Sequence, residues 1–151
     1  MAAHPAKENF LIERGDIYLL EISHEGGREQ RKQPVLVIQN DIGNRFCNSV
    51  IVVPLFSNPR LGNLLLGVLL TAGGGNGLSV DHVALFSQIM TVDKSHFRKD
   101  NFMGRPDAKE LGRVDEAIKL SLGLSTIQHL ETKQKLWRKW RLFRREKNKV
   151  C

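Results

Sequence analysis

A chain of 151 residues with 41% hydrophobic and 7% aromatic content is sized for one globular domain with appendages. Its two cysteines, Cys47 and Cys151, have no metal-ligand spacing and build no disulfide framework. No apolar run approaches the roughly 18–20 residues a membrane-spanning helix needs, and Lys7 and Glu8 interrupt any signal-peptide core. The expected setting is therefore a reducing cytoplasm, with a membrane an unfavoured partner. The net charge of +7 is uneven: residues 133–151 hold nine Lys/Arg against Glu146 alone, a charge of +8. Residues 1–132 carry 14 bases and 15 acids, so the basic pI describes the tail and not the body.

Residues 1–11 read as a flexible polar leader. Asp16–Ile22 alternates as a strand, with Ile17, Leu19 and Glu21 on one side and Tyr18, Leu20 and Ile22 on the other. His24–Gln33 is rich in Gly and charge and reads as a loop of functional length. Pro34–Gln39 follows as a strand buried on both faces, because Val35, Leu36, Val37 and Ile38 are consecutive and mostly β-branched. It ends in Gln39, Asn40 and Asp41, with a turn at Gly43-Asn44, and Cys47 is expected as a buried or half-buried thiol.

Val50–Leu55 is the third strand, and Pro54 suggests that its end is an edge or a bulge. Leu64–Thr71 and His82–Ile89 read as the fourth and fifth strands, separated by a flexible Gly73–Gly77 loop. Phe97 and Phe102 in the next polar segment are read as packing residues. Asp107 and Glu110 have capping-box spacing; Leu111, Val114, Ile118 and Leu122 continue at helical intervals, and Gly123 is suited to end the helix. Five or so strands and one amphipathic helix predict a small curled antiparallel sheet with a helix across it, mainly β with α.

Two readings attach to the polar end of the second strand. Asn40, Asp41 and Asn44 can make the turn with their own backbone, or present donors and acceptors to a ligand. The five histidines are scattered and form no metal cluster with Cys or carboxylates, so no metal or cofactor is expected.

Several ordered motifs carry a resemblance. Arg14-Gly-Asp16 opens the first strand, and a loop holding Glu29-Gln30 follows. Then come Pro34-Val-Leu-Val-Ile-Gln-Asn-Asp41, a Val92-Asp93 pair and a terminal helix ending in Ser121-Leu-Gly123. Over roughly residues 12–124 this order resembles the MazF/PemK family of toxin endoribonucleases. The resemblance implies an SH3-like small antiparallel barrel (MazF/PemK/CcdB-like) that works as a homodimer. It also implies metal-independent cleavage of single-stranded RNA, with attack by the ribose 2′-hydroxyl on the adjacent phosphate. An antitoxin protein is implied as partner, with DNA binding alongside it.

The domain division that follows is leader 1–11, toxin-like domain 12–124 and basic tail 125–151. Family members typically carry arginine just before the Pro-Val-Leu strand, where this chain has Gln33. Threonine or serine is expected at the end of the third strand, where Phe56 stands with Ser57 one step later; Met90 replaces a frequent arginine. The catalytic candidates are therefore Arg31, Lys32, Gln33 and Ser57, with the two neighbouring cations substituting for the missing one. Arg28, Glu29, Gln30, Asn40, Asp41, Asn44, Arg45 and Gln88 are the nucleic-acid-binding candidates.

A second function class stands beside the nuclease: a toxin-like dimer that binds nucleic acid or antitoxin without cleaving. The tail has its own alternatives. Leu136, Trp137, Trp140 and Phe143 give an apolar stripe flanked by bases at helical spacing. RNA binding, a membrane surface and a solvated or self-docking extension all fit that composition.

Overall fold

The computed structural model describes residues 10–23, 30–125, 138–139 and 141–142. Among the described residues, seven strands form one antiparallel half-barrel sheet: β1 Ile17–Ser23, β2 Gln30–Val37, β3 Ser49–Phe56, β4 Gly67–Leu70, β5 His82–Leu85, β6 Met90–Asp93 and β7 Phe102–Gly104. The order is β4-β5-β3-β2-β1-β7, with β6 pairing the other half of the β3 edge that β5 uses. A six-residue helix α1, Asp41–Phe46, joins β2 to β3, and α2, Ala108–Ser121, follows the sheet.

The central strands are buried on both faces because each face has its own cover. Leu36, Val53, Leu55 and Ile17 pack with Leu70, Phe86, Val114 and Ala117 beneath α2. Val35, Val37, Val50, Val52, Tyr18, Leu20 and Phe97 form a second core on the opposite side. Consecutive residues of Val35–Val37 thus enter alternate cores, and each fully buried Val or Leu contributes roughly 1.5–3 kcal/mol.

Several expectations change in the folded chain. Gln30–Gln33 belongs to β2 and not to a loop: Gln33, Lys32, Arg31 and Gln30 lie opposite Leu20, Glu21, Ile22 and Ser23. The Gly43-Asn44 turn is part of helix α1, because Asn40 caps it by accepting from the Gly43 amide at 2.8 Å. Pro54 sits inside the central strand β3, in the gap where the outer edge changes partner from β6 (ending at Val52) to β5 (starting at Leu55). A missing N–H is tolerated where the ladder is already interrupted.

The fourth strand is shorter than expected, and the fifth stops at Leu85. Phe86–Gln88 is a 3-10 turn and β6 begins at Met90. Phe97 is packed as expected, but Phe102 is 46% exposed, touching Tyr18 edge-on with ring centroids 5.6 Å apart. Cys47 is exposed, because it follows α1 on the outer surface.

The glycine loop is pinned. Asn76, 1% exposed, donates to the Thr71 carbonyl at 2.7 Å and accepts from the Leu78 amide at 3.0 Å. The loop lies so close to β7 that a Cβ on Gly104 would collide with the Gly75 carbonyl oxygen, and Gly104 has φ of 153°. Helix α2 has the expected capping box, and buried Glu110 also accepts from the Thr71 amide at 2.9 Å. Leu122 is its C-cap and is exposed, not part of the packed face. Phe10, partly buried, packs on the second core.

Candidate functional site

The β1–β2 pair has two ends of opposite character. At the Ile17–Leu36 end nearly every polar group is committed. Arg14 donates its backbone N–H to Asp41 Oδ1 at 2.6 Å, its Nε to the Ile38 carbonyl at 3.0 Å and its Nη2 to Asp115 at 2.8 Å. Arg105 donates to Glu13 and to the Arg14 carbonyl, both at 2.8 Å, and its Nε lies 3.3 Å from Asp16 Oδ1. Asp16, 4% exposed, also accepts from the Glu13 amide at 2.9 Å. Burial raises its pKa above the ordinary carboxylate value, against the opposing pull of the Glu13 amide and Arg105. Burial, followed by the neighbouring Asp16 charge, pushes the Tyr18 phenol up as well, so it stays neutral.

The candidates at this end are absorbed by the turn. Asn44, 1% exposed, donates to the Gln39 carbonyl at 3.0 Å and accepts from Gln39 Nε2 at 3.2 Å. Gln39 Nε2 also reaches the Ser49 carbonyl at 3.0 Å, and Asp41 receives Arg14. Lys94 Nζ donates to the Asn44 and Arg45 carbonyls at 2.5 and 3.2 Å, closing the end of α1. Arg45 is itself exposed, beside a cavity of about 990 Å³ lined with Phe46, Cys47 and Lys94. The geometry of Asn40, Asp41 and Asn44 matches the turn-making reading.

Among the described residues the other end of the pair is open; residues 24–29, which join its two strands, lie outside them. Gln30, Arg31 and Lys32 are exposed, and Gln33 is half-buried. Gln33 Nε2 donates to the Leu55 carbonyl, which ties the mouth of β2 to the end of β3. Continuing the Val35–Pro54 register by two residues sets Gln33 across from Phe56, with exposed Ser57 just beyond.

Strand periodicity then separates the two substitute cations. Arg31 shares a face with Gln33 and Val35, whereas Lys32 lies on the opposite one. There Lys32 joins Leu19, Glu21, Arg98 and Phe102 around a cavity of about 590 Å³. Gln88 is exposed on the turn after β5. Met90 pairs with Val52 and packs on the second core. Arg28 and Glu29 lie outside the described residues.

Sequence reasoning missed Arg105, whose only local signal is a Gly-Arg-Pro step, and the cavity residues Arg98 and Phe102 that accompany Lys32. Their partners are distant in sequence, so no local pattern marks them.

This arrangement is a fold with known relatives. The family model described as PemK-like, MazF-like toxin of type II toxin-antitoxin system matches residues 13–122. The chain is 38% identical over 115 residues to Endoribonuclease EndoA of Bacillus subtilis, covering 76% of this chain and 97% of that protein. It is 35% identical over 119 residues to Endoribonuclease MazF of Staphylococcus saprophyticus, covering 78% and 97%. Among solved structures, a MazE-MazF crystal structure from Deinococcus radiodurans superposes with a TM-score of 0.61 at 20% identity, over 78% of this chain and all of that one. An endoribonuclease in complex with its cognate antitoxin from Mycobacterial species gives 0.55 at 20% identity, over 77% and 97%. At that identity the structural likeness concerns the fold. The chain belongs to the PemK/MazF-like toxin family.

Proposed function

We propose that this protein is an endoribonuclease toxin, acting on single-stranded RNA in the cytoplasm and restrained by an antitoxin protein. The observation that carries the reading is the 35–38% identity to two proteins named endoribonucleases, across 97% of each. The structure named as a MazE-MazF pair and the one named as a cognate antitoxin complex support the antitoxin partner. The working form is a homodimer, and the toxin–antitoxin complex binds DNA as well. Light scattering should return twice the 17.1 kDa chain mass.

The reaction proceeds at the open end of β1–β2 without a metal. The 2′-hydroxyl attacks the adjacent phosphorus, its proton is removed, and the 5′-oxygen leaves with a proton. The products are a cyclic phosphate and a 5′-hydroxyl end. Charge grows on the phosphate oxygens in the transition state, so donors aimed there accelerate the step. Gln33 supplies the neutral N–H that its bond to the Leu55 carbonyl leaves over, Arg31 on the same face supplies the permanent charge, and the Ser57 hydroxyl assists from the end of β3. Lys32 contributes field from the opposite face, and Gln30 and Gln88 border the path of the strand; Arg28 and Glu29, outside the described residues, are RNA contacts on the sequence alone.

Purified protein incubated with a long RNA in EDTA should give discrete fragments with 5′-hydroxyl ends. Intact RNA, or fragmentation that vanishes only with the chelator, would overturn the reading.

A further inference from the structure

The basic tail lies outside the described residues apart from Arg138, Lys139, Arg141 and Leu142, so the cations that the fold itself places are those of the body. One of them stands free at the open end of the sheet. Between Asp41 and Asp81 the chain has no carboxylate, and the only Lys or Arg residues there are Arg45 and Arg60. Arg60 follows Ser57 by three residues, in the 3-10 turn Pro59–Asn63. Its side chain is exposed and makes neither a hydrogen bond nor an ion pair among the described residues. Its backbone is held. Asn58 Oδ1 accepts from the Arg60 amide at 3.1 Å, the Leu61 amide donates to the Asn58 carbonyl at 3.2 Å, and the Leu64 amide to the Leu61 carbonyl at 3.1 Å. Pro59 fixes φ at the first residue of the turn.

The sheet decides which face this turn covers. Phe56 pairs with Val83 and Val83 with Leu69, so these three side chains share a face, and the continued Val35–Pro54 register adds Gln33 to their row. A Cβ on Gly62 would meet Val83 Cγ2 at 3.6 Å. One on Gly67 would meet Val83 Cγ1 at 3.2 Å and collide with the Leu61 carbonyl oxygen. The turn therefore lies over Val83, on the face that bears Phe56, Gln33 and Arg31. Val83 and Gln33 are two strands apart, roughly 10 Å at ordinary sheet spacing. Half-buried Phe56 floors a trough between them, with Gln33 and Arg31 along one bank and the turn that carries Arg60 along the other.

We infer that Arg60 is a phosphate ligand of this trough, donating to the scissile phosphate from the bank opposite Arg31 and restoring charge that Gln33 does not carry. The inference rests on the nuclease reading above and names a further residue of the same site. A guanidinium presents paired N–H donors to two phosphate oxygens and keeps its charge at any working pH. Cations on both banks aim donors at both non-bridging oxygens, where charge grows as the 2′-oxygen attacks. With no internal bond to surrender, the Arg60 side chain engages a phosphate without unpairing another group.

The test uses the full chain and its Arg60→Ala and Arg60→Lys forms, with a long RNA for cleavage and a 2′-O-methylated single strand for binding. Urea midpoints should agree among the three, because the exposed side chain bonds to nothing in the described body. In Arg60→Ala, kcat should fall about 10²-fold, as for loss of one donor to transition-state charge. The slope of log affinity against log salt should flatten by about 0.7, the share of one phosphate on a single strand. Arg60→Lys should keep the slope and recover part of the rate, since it supplies the charge without the paired donors. Unchanged kcat and slope in Arg60→Ala would overturn the inference and spare the nuclease reading. A flattened slope with kcat kept would also overturn it, by placing the contact away from the scissile phosphate. A parent that binds the strand but cuts no RNA would sink the nuclease reading; a flattened slope in Arg60→Ala would then keep the phosphate contact, and an unchanged one would remove it.

Discussion

The two ends of the β1–β2 pair use similar residue types for opposite purposes. At the Arg14–Asp16 end, arginines, carboxylates and amides satisfy one another across β1, β2, α1 and α2. At the Gln30–Gln33 end, two cations and the Gln30 amide stand at the surface, Gln33 is half-buried, and of these four Gln33 alone has a side-chain hydrogen bond among the described residues. A polar cluster whose valences are filled internally holds the fold; one with valences open to solvent is available to a ligand. The contrast is sharp enough to break by mutation.

The largest effect belongs to the open end. Arg31→Ala should slow RNA cleavage by about 10²–10³-fold, the usual range for removing a donor that stabilises transition-state charge, while thermal unfolding stays within about 0.5 kcal/mol. Lys32→Ala, on the other face, should cost less than about tenfold; a larger loss than for Arg31 would show that strand periodicity does not sort the two cations. Gln33→Arg should raise the rate if the pocket lacks only charge, and leave it unchanged if half-buried Phe56 fills the space.

At the bonded end the expected loss is of stability. Asn44→Ala removes two part-buried hydrogen bonds to Gln39 and should destabilise by about 1–3 kcal/mol in urea unfolding. A change of cleavage rate at unchanged stability would instead place Asn44 in the site.

The smallest effect is a matter of pH. Because burial raises the Asp16 pKa in the folded protein, protonation stabilises the fold. That contribution is fully present below the unfolded value and is lost as pH rises through the folded one. Comparing wild type with Asp16→Asn from pH 7 downwards, wild type should gain relative stability as the carboxyl takes up its proton. A relative loss over that interval would mean that Arg105 outweighs burial.

Local pattern was enough to read the double-faced burial of Val35–Val37, the capping box of α2 and the alternation of β1, because periodicity and capping are properties of neighbouring residues. The ordered motifs from Arg14 to Gly123 were enough to place the family. The same order of motifs sets Gln33, Phe56 and Met90 where the family resemblance leads one to expect arginine, a hydroxyl and arginine.

What it could not decide was which end of β2 is open. Gln39, Asn40, Asp41 and Asn44 look as available as Gln30–Gln33 until Arg14, Ser49 and Lys94, remote in the chain, are brought against them. Nor could it show that Gln30–Gln33 is strand and not loop, because those polar residues extend β2 by pairing with β1 and carry no apolar alternation of their own. Hydrogen-bond valences are filled across the tertiary structure, and only there does a polar residue become either a support or a site.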